Sequence, residues 1–169
     1  MTISLYAASV PVFQQMLGSL SAILEKAQAQ AEANNYAPEA LLQSRLFPDM
    51  FPLLRQVQIA ADFARGVSCR LAGLDVPKFD DNEQSFEQLQ DLLSKTQALL
   101  ASIEPAQIDG QEARQITTRK GTPKERNFTA QDYLLSYGLP QFFFHVTTAY
   151  ALLRHNGVDV GKRDFMGAY

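Results

Sequence analysis

Few side chains in this sequence can do chemistry. Its 169 residues include two histidines, one cysteine and no tryptophan. A helix turns each residue by about 100°. On that count Gln141, His145, Thr148 and Leu152 share one face of one helix. On another, Gln56 falls between Phe63 and Val67, inside an apolar sector. A buried polar side chain costs roughly 1–3 kcal/mol unless it is hydrogen-bonded. Gln56, Gln141 and His145 therefore need partners, and each other is the nearest supply. Three readings are open: a satisfied core network that fixes helix register, a ligand pocket or vestigial active site between facing helices, or a metal site. Zinc takes three or four Cys, His or carboxylate ligands, and glutamine is a weak neutral donor. The expectation is a binding site of Gln56, Gln141, His145 and Thr148, with no metal, no cofactor and no assignable catalytic residue.

The other reactive side chains have plainer roles. His155 stands at a helix C-terminus, where a cation favours the dipole. Cys69 lies well around the wheel from the small-residue stripe and reads as packing; a reactive thiol would want a histidine beside it. Asp62 falls opposite its helix's apolar stripe, as a solvated or salt-bridged acid. Arg114, Arg119, Lys120, Lys124 and Arg126 gather in one polar stretch and read as a solvated loop, since basic nucleic-acid surfaces carry interleaved aromatics. The acidic run from Asp75 to Asp91 precedes or opens a helix, as its dipole favours. There is no phosphate-binding glycine loop, no G-x-S-x-G, no H-E-x-x-H and no C-x-x-C.

Four long helical segments must position these residues. Val10, Phe13, Leu17, Leu20 and Leu24 mark the first, with Ser4 or Ser9 as cap and Pro11 in its first turn or as a kink. A short helix follows from Pro38, with Leu41, Leu42 and Leu46 apolar. The second long helix is predicted to start at Pro48-Asp49, with Asp49 as N-cap and Pro52 in the first turn. Its stripe of Leu53, Val57, Ala60, Ala64, Val67 and Leu71 ends at Gly73 as C-cap. The third runs from about Ser85 to Ile103, opened by a Ser85/Gln88 capping box and closed by Pro105. Residues 106–128 break the pattern, and Gln115 to Arg119 is either a short strand or loop. Thr129 with Asp132 caps a brief helix that Gly138 ends. The fourth long helix, Pro140 to Asn156, is apolar on almost every side and so belongs at the centre. These segments predict an all-α fold, a four-helix bundle with a long crossover before its last helix.

Composition sets the outer limits. The length fits one domain, taken as residues 1–169, and 46% hydrophobic with 20% charged residues is globular, not disordered. A net charge of −3 argues against a phosphate-neutralising interface, so no nucleic acid is expected. No apolar run approaches the roughly 20 residues of a membrane span, so no membrane is expected either. Met1 to Ala8 lacks a basic n-region and cleavage site, which argues against export. A single cysteine forbids an internal disulfide and suits the cytoplasm.

Several blocks resemble a known family. They are Ser4-Leu5-Tyr6-Ala7-Ala8-Ser9-Val10-Pro11-Val12-Phe13, Arg45-Leu46-Phe47-Pro48-Asp49-Met50, Leu139-Pro140-Gln141-Phe142-Phe143-Phe144-His145-Val146-Thr147-Thr148-Ala149-Tyr150, and Leu153 to Val158 with Gly161 to Phe165. Together they are similar to a bacterial domain-of-unknown-function family within the DinB/YfiT-like superfamily. The resemblance implies an up-down-down-up bundle, often a homodimer. In better-known relatives it holds a divalent metal on one histidine of the second helix and an H-x-x-x-H pair of the fourth. Some of those relatives transfer low-molecular-weight thiols to electrophiles, and others act as hydrolases or isomerases. His145 matches the second histidine of the pair, Gln141 the first, and Gln56 the helix-two position. Two of the three ligands would then be glutamine. The expected function is binding of a small molecule in an inter-helix pocket without the three-His site. The alternatives are a hydrolase or thiol transferase using His145, metal-dependent or not, and a dimeric interaction module whose polar core is filled.

Overall fold

Apolar residues at alternating three- and four-residue spacing form α1 (Val10–Ala33), in which Val10, Phe13, Leu17, Leu20 and Leu24 are all buried. This computed structural model describes residues 3–168. Met1 and Thr2, the start of the stretch considered for export, lie outside the described residues. Ser9 occupies the cap position of α1, yet its hydroxyl donates back to the Leu5 carbonyl at 2.7 Å instead of accepting from a helix amide. Pro11 sits in the first turn. Then α2 (Pro38–Leu42) buries Leu41 and Leu42, whereas Leu46 lies beyond it and is exposed.

The second long helix, α3 (Leu53–Ala72), begins later than its sequence suggested. Asp49 is not its cap. The residue before a proline is disfavoured in the helical region, so Pro52 blocks a helix running through Phe51 and the start moves downstream. Pro52 itself takes the cap position, and its carbonyl accepts from the Gln56 amide at 3.0 Å. At the other end Gly73 turns left-handed at φ 72°, and the Arg114 guanidinium donates to the Leu71 carbonyl. In α4 (Phe86–Ala101) the Ser85 hydroxyl accepts from the Gln88 amide at 3.2 Å; the Gln88 side chain returns to the Gln84 amide, one residue early for a full box.

The crossover corrects the all-α expectation. After α5 (Pro105–Ile108), β1 (Gln115–Thr118) pairs antiparallel with β2 (Arg126–Thr129), placing Ile116 opposite Phe128. Thr129 caps α6 (Ala130–Asp132) by accepting from the Asp132 amide at 3.2 Å. Gly138 does not end that helix. A π-helical turn, Tyr133–Gly138, carries the chain without a break into α7 (Leu139–His155). Gly138 is right-handed there, and its missing side chain lets the turn close on α3: a Cβ would stand 2.8 Å from a Val67 methyl. A last short helix, α8 (Lys162–Met166), packs on α1 through Lys26 and Asp164 at 2.7 Å.

The four long helices share one core, into which Phe13 of α1 and Phe142 of α7 pack edge to face at 4.8 Å. The most extensive helix contact is α3 on α7, and the buried Ala60, Ala61 and Ala64 leave room for close neighbours. That contact carries Gln56 and His145. No helix among the described residues is long and apolar enough to cross a membrane.

Candidate functional site

Gln56, in the first turn of α3, and His145, midway along α7, are 1% and 8% exposed and face each other across the helix contact. The His145 Nδ1 lies 2.7 Å from Gln56 Oε1. Which of the two donates follows from the other end of the amide. Gln56 Nε2 donates to the Phe51 carbonyl at 3.1 Å, so Oε1 is the atom turned to the ring. An amide oxygen only accepts. His145 therefore carries its proton on Nδ1, and Nε2 keeps a lone pair.

That lone pair is open. His145 lines a cleft of about 390 Å³ together with Gln56, Gln141, Phe144 and the loop residues Asp49, Met50 and Phe51, and Nε2 makes no hydrogen bond among the described residues. The ring is held on two sides: Phe63 stacks at 6.0 Å between centroids, and Phe144 stands edge-on at 5.2 Å. Burial, helped by the positive charge of Arg55, pushes the imidazole down to about 4. His145 is thus neutral at physiological pH, a fixed tautomer with one acceptor nitrogen.

The remaining expected residues sort by position. Gln141 is half-buried in the cleft lining, and its amide makes no hydrogen bond among the described residues. Thr148 is buried one turn further along α7, and its hydroxyl donates to the Phe144 carbonyl at 2.7 Å. It does not line the cleft. Phe51 and Phe144 supply an apolar rim and are both about half exposed. Neither the loop from Asp49 to Phe51, which lines the cleft, nor the Arg55 charge acting on the ring from outside it is marked in the sequence. The loop has no periodicity to announce it. The Arg55 guanidinium is tied to Asp81 and to Gln58, each at 3.0 Å.

The cleft offers few strong donors to a divalent metal. Gln56 spends its oxygen on Nδ1–H and its nitrogen on Phe51. That leaves one imidazole nitrogen, the Asp49 carboxylate and the weak Gln141 oxygen in the cleft lining, where stable zinc sites use three or four strong ligands. No group of three His, Cys, Asp or Glu side chains is placed to share an ion among the described residues. Elsewhere, Cys69 is buried and burial pushes its thiol up, away from the thiolate a nucleophile needs. His155 is the last residue of α7 and is exposed.

Comparison with known proteins finds relatives of the whole chain. The family model described as "Domain of unknown function (DUF1993)" matches residues 5–166. The chain is similar to the crystal structure of a DinB family member protein from Shewanella denitrificans, at 38% identity. That match covers 98% of this chain and 93% of the other, with a TM-score of 0.91. No curated protein matches.

Proposed function

The chain belongs to the DUF1993 family of DinB-like domains, and from that premise we propose that its α3–α7 cleft binds a small organic molecule bearing an O–H or N–H donor. One observation carries the reading. The Phe51 carbonyl orients the Gln56 amide, which fixes the His145 tautomer and leaves Nε2 as a pre-set acceptor in an open cleft. Gln141 supplies a second polar contact, and Met50, Phe51 and Phe144 supply apolar cover. Thr148 holds the helix beneath the ring and is not a ligand contact. No metal, cofactor, nucleic acid or membrane enters the proposal. It places a single domain in an up-down-down-up bundle that pairs as a cytoplasmic homodimer.

Binding is favoured over catalysis by basicity. A general base works best with a pKa near the working pH, and His145 sits near 4. Binding is favoured over a filled core network by the cleft itself. Phenol is a suitable probe, an O–H donor on an apolar ring. Titrated into the ¹⁵N-histidine-labelled protein, it is expected to move the His145 Nε2 resonance saturably and leave Nδ1 protonated. His145→Ala should abolish saturable phenol binding, followed there by the side-chain amide resonances of Gln56 and Gln141. Phenol binding that survives in His145→Ala, or an imidazole protonated on Nε2, would overturn the reading.

A further inference from the structure

Phe63, which stacks on His145, also lines a second cleft of about 370 Å³ between α3, β1 and the π-helical turn. Arg55, Arg65, Arg70 and Arg119 line it against a single acid, Asp62. Their commitments differ. Arg55 pairs with Asp81 at 3.0 Å, and Arg65 pairs with Asp62. Arg70 and Arg119 have no carboxylate within ion-pair reach among the described residues.

Arg70 is laid along α3 by an empty space. A Cβ on Gly66 would stand 2.6 Å from Arg70 Nη1, so the guanidinium fits only because residue 66 has no side chain. The same Nη1 donates to the Tyr133 hydroxyl at 3.2 Å. Burial pushes the Tyr133 hydroxyl up, so it keeps a proton to offer. Arg65 is only 7% exposed, and its Nε and Nη1 have no hydrogen-bond partner among the described residues. Buried guanidinium nitrogens are normally satisfied. Arg70 and Arg119 thus bring two positive charges to this recess that pair with no carboxylate among the described residues. The rest of the wall is apolar: Ile59, Val67 and Val76 beside Phe63.

We propose that this cleft binds a small carboxylic acid, its carboxylate held by Arg70 and the Tyr133 hydroxyl, with Arg119 closing the mouth and its apolar body against Ile59, Phe63 and Val76. A guanidinium meets a planar carboxylate in a fork of two parallel hydrogen bonds. Asp62 in the lining opposes a second negative charge, which favours a monoanion over a phosphate dianion. The site is separate from the His145 cleft and stands whether or not that cleft binds phenol.

The test uses the full chain and 4-phenylbutyrate, with 4-phenylbutan-1-ol as its uncharged counterpart and inorganic phosphate as rival. Isothermal titration should give saturable binding of the acid, weakened about tenfold or more for the alcohol and for Arg70→Gln. Arg119→Gln, at an exposed position, should weaken it severalfold and serves if Arg70→Gln is unstable. Amide shifts should centre on Gly66, Thr118 and Tyr133, not on Gln141. Equal affinity for acid and alcohol, indifference to both arginine substitutions, or no saturable binding would each overturn the proposal. So would phosphate binding more tightly than the acid, which would reassign the recess to phosphate.

Discussion

The acid sensitivity of this protein should reside largely in one imidazole. His145 is lowered from an ordinary 6.5 to about 4 because the folded protein buries the ring and holds Arg55 near it. Between those values the unfolded chain takes up a proton that the folded one refuses. Stability therefore falls as pH drops from about 6.5 to about 4, by roughly 2–3 kcal/mol for this group. His145→Gln can still bond the Gln56 amide and has no proton to gain. Urea unfolding of the two proteins at pH 7 and pH 4.5 should show the wild type losing more unfolding free energy by that margin. Parallel loss in both would assign the acid response to the carboxylates instead. The pair itself was legible because each partner falls inside an apolar sector of its own helix. Thr148 lies on the same face but turns away, since a helical threonine reaches its own i−4 carbonyl more easily than a neighbour.

The long helices could be read from apolar period, and the Gly73 and Thr129 caps from residue type. The elements between them could not, because tertiary contacts hold them. In β2, Arg126–Thr129, no apolar alternation marks a strand; Phe128 anchors it by packing on Tyr133 and Tyr137 at 5.7 and 5.4 Å. Gly138 reads as a stop until α3 is placed beside it. There its role is proximity, since a Cβ would meet both Val67 methyls and the Tyr133 carbonyl within 3.3 Å. Gly138→Ala should therefore destabilise the protein by about 1–3 kcal/mol, despite alanine's better helix propensity. Val67→Ala removes the facing methyls, so the double variant should be more stable than the two single losses summed. A denaturation cycle showing simple additivity would mean that α3 and the π-helical turn do not meet as described.

On the scale of the whole molecule, the acidic connection between α3 and α4 does more than precede a helix. Asp81 reaches Arg55 at 3.0 Å, Glu83 accepts from the buried Gln58 at 2.7 Å, and Phe79 lies under the Arg65 guanidinium at 3.9 Å. The segment is strapped along α3 by three polar or cation–π contacts, with almost none of the apolar burial that joins the long helices. Composition could count those acids but not show which would fold back, because the contacts join positions about 14 to 26 residues apart with no shared period. A strap held in this way should open independently of the core. Hydrogen exchange of the native protein should show amides 75–84 opening well before those of α1 and α4. Phe79→Ala removes the apolar foot of the strap and the cation–π contact, worth about 1 kcal/mol. It should speed exchange in 75–84 by about fivefold and leave α1 and α4 unchanged. Exchange rising equally in α1 would mean the connection unfolds with the core, and that burial of Phe79, not the charges around it, holds the two together.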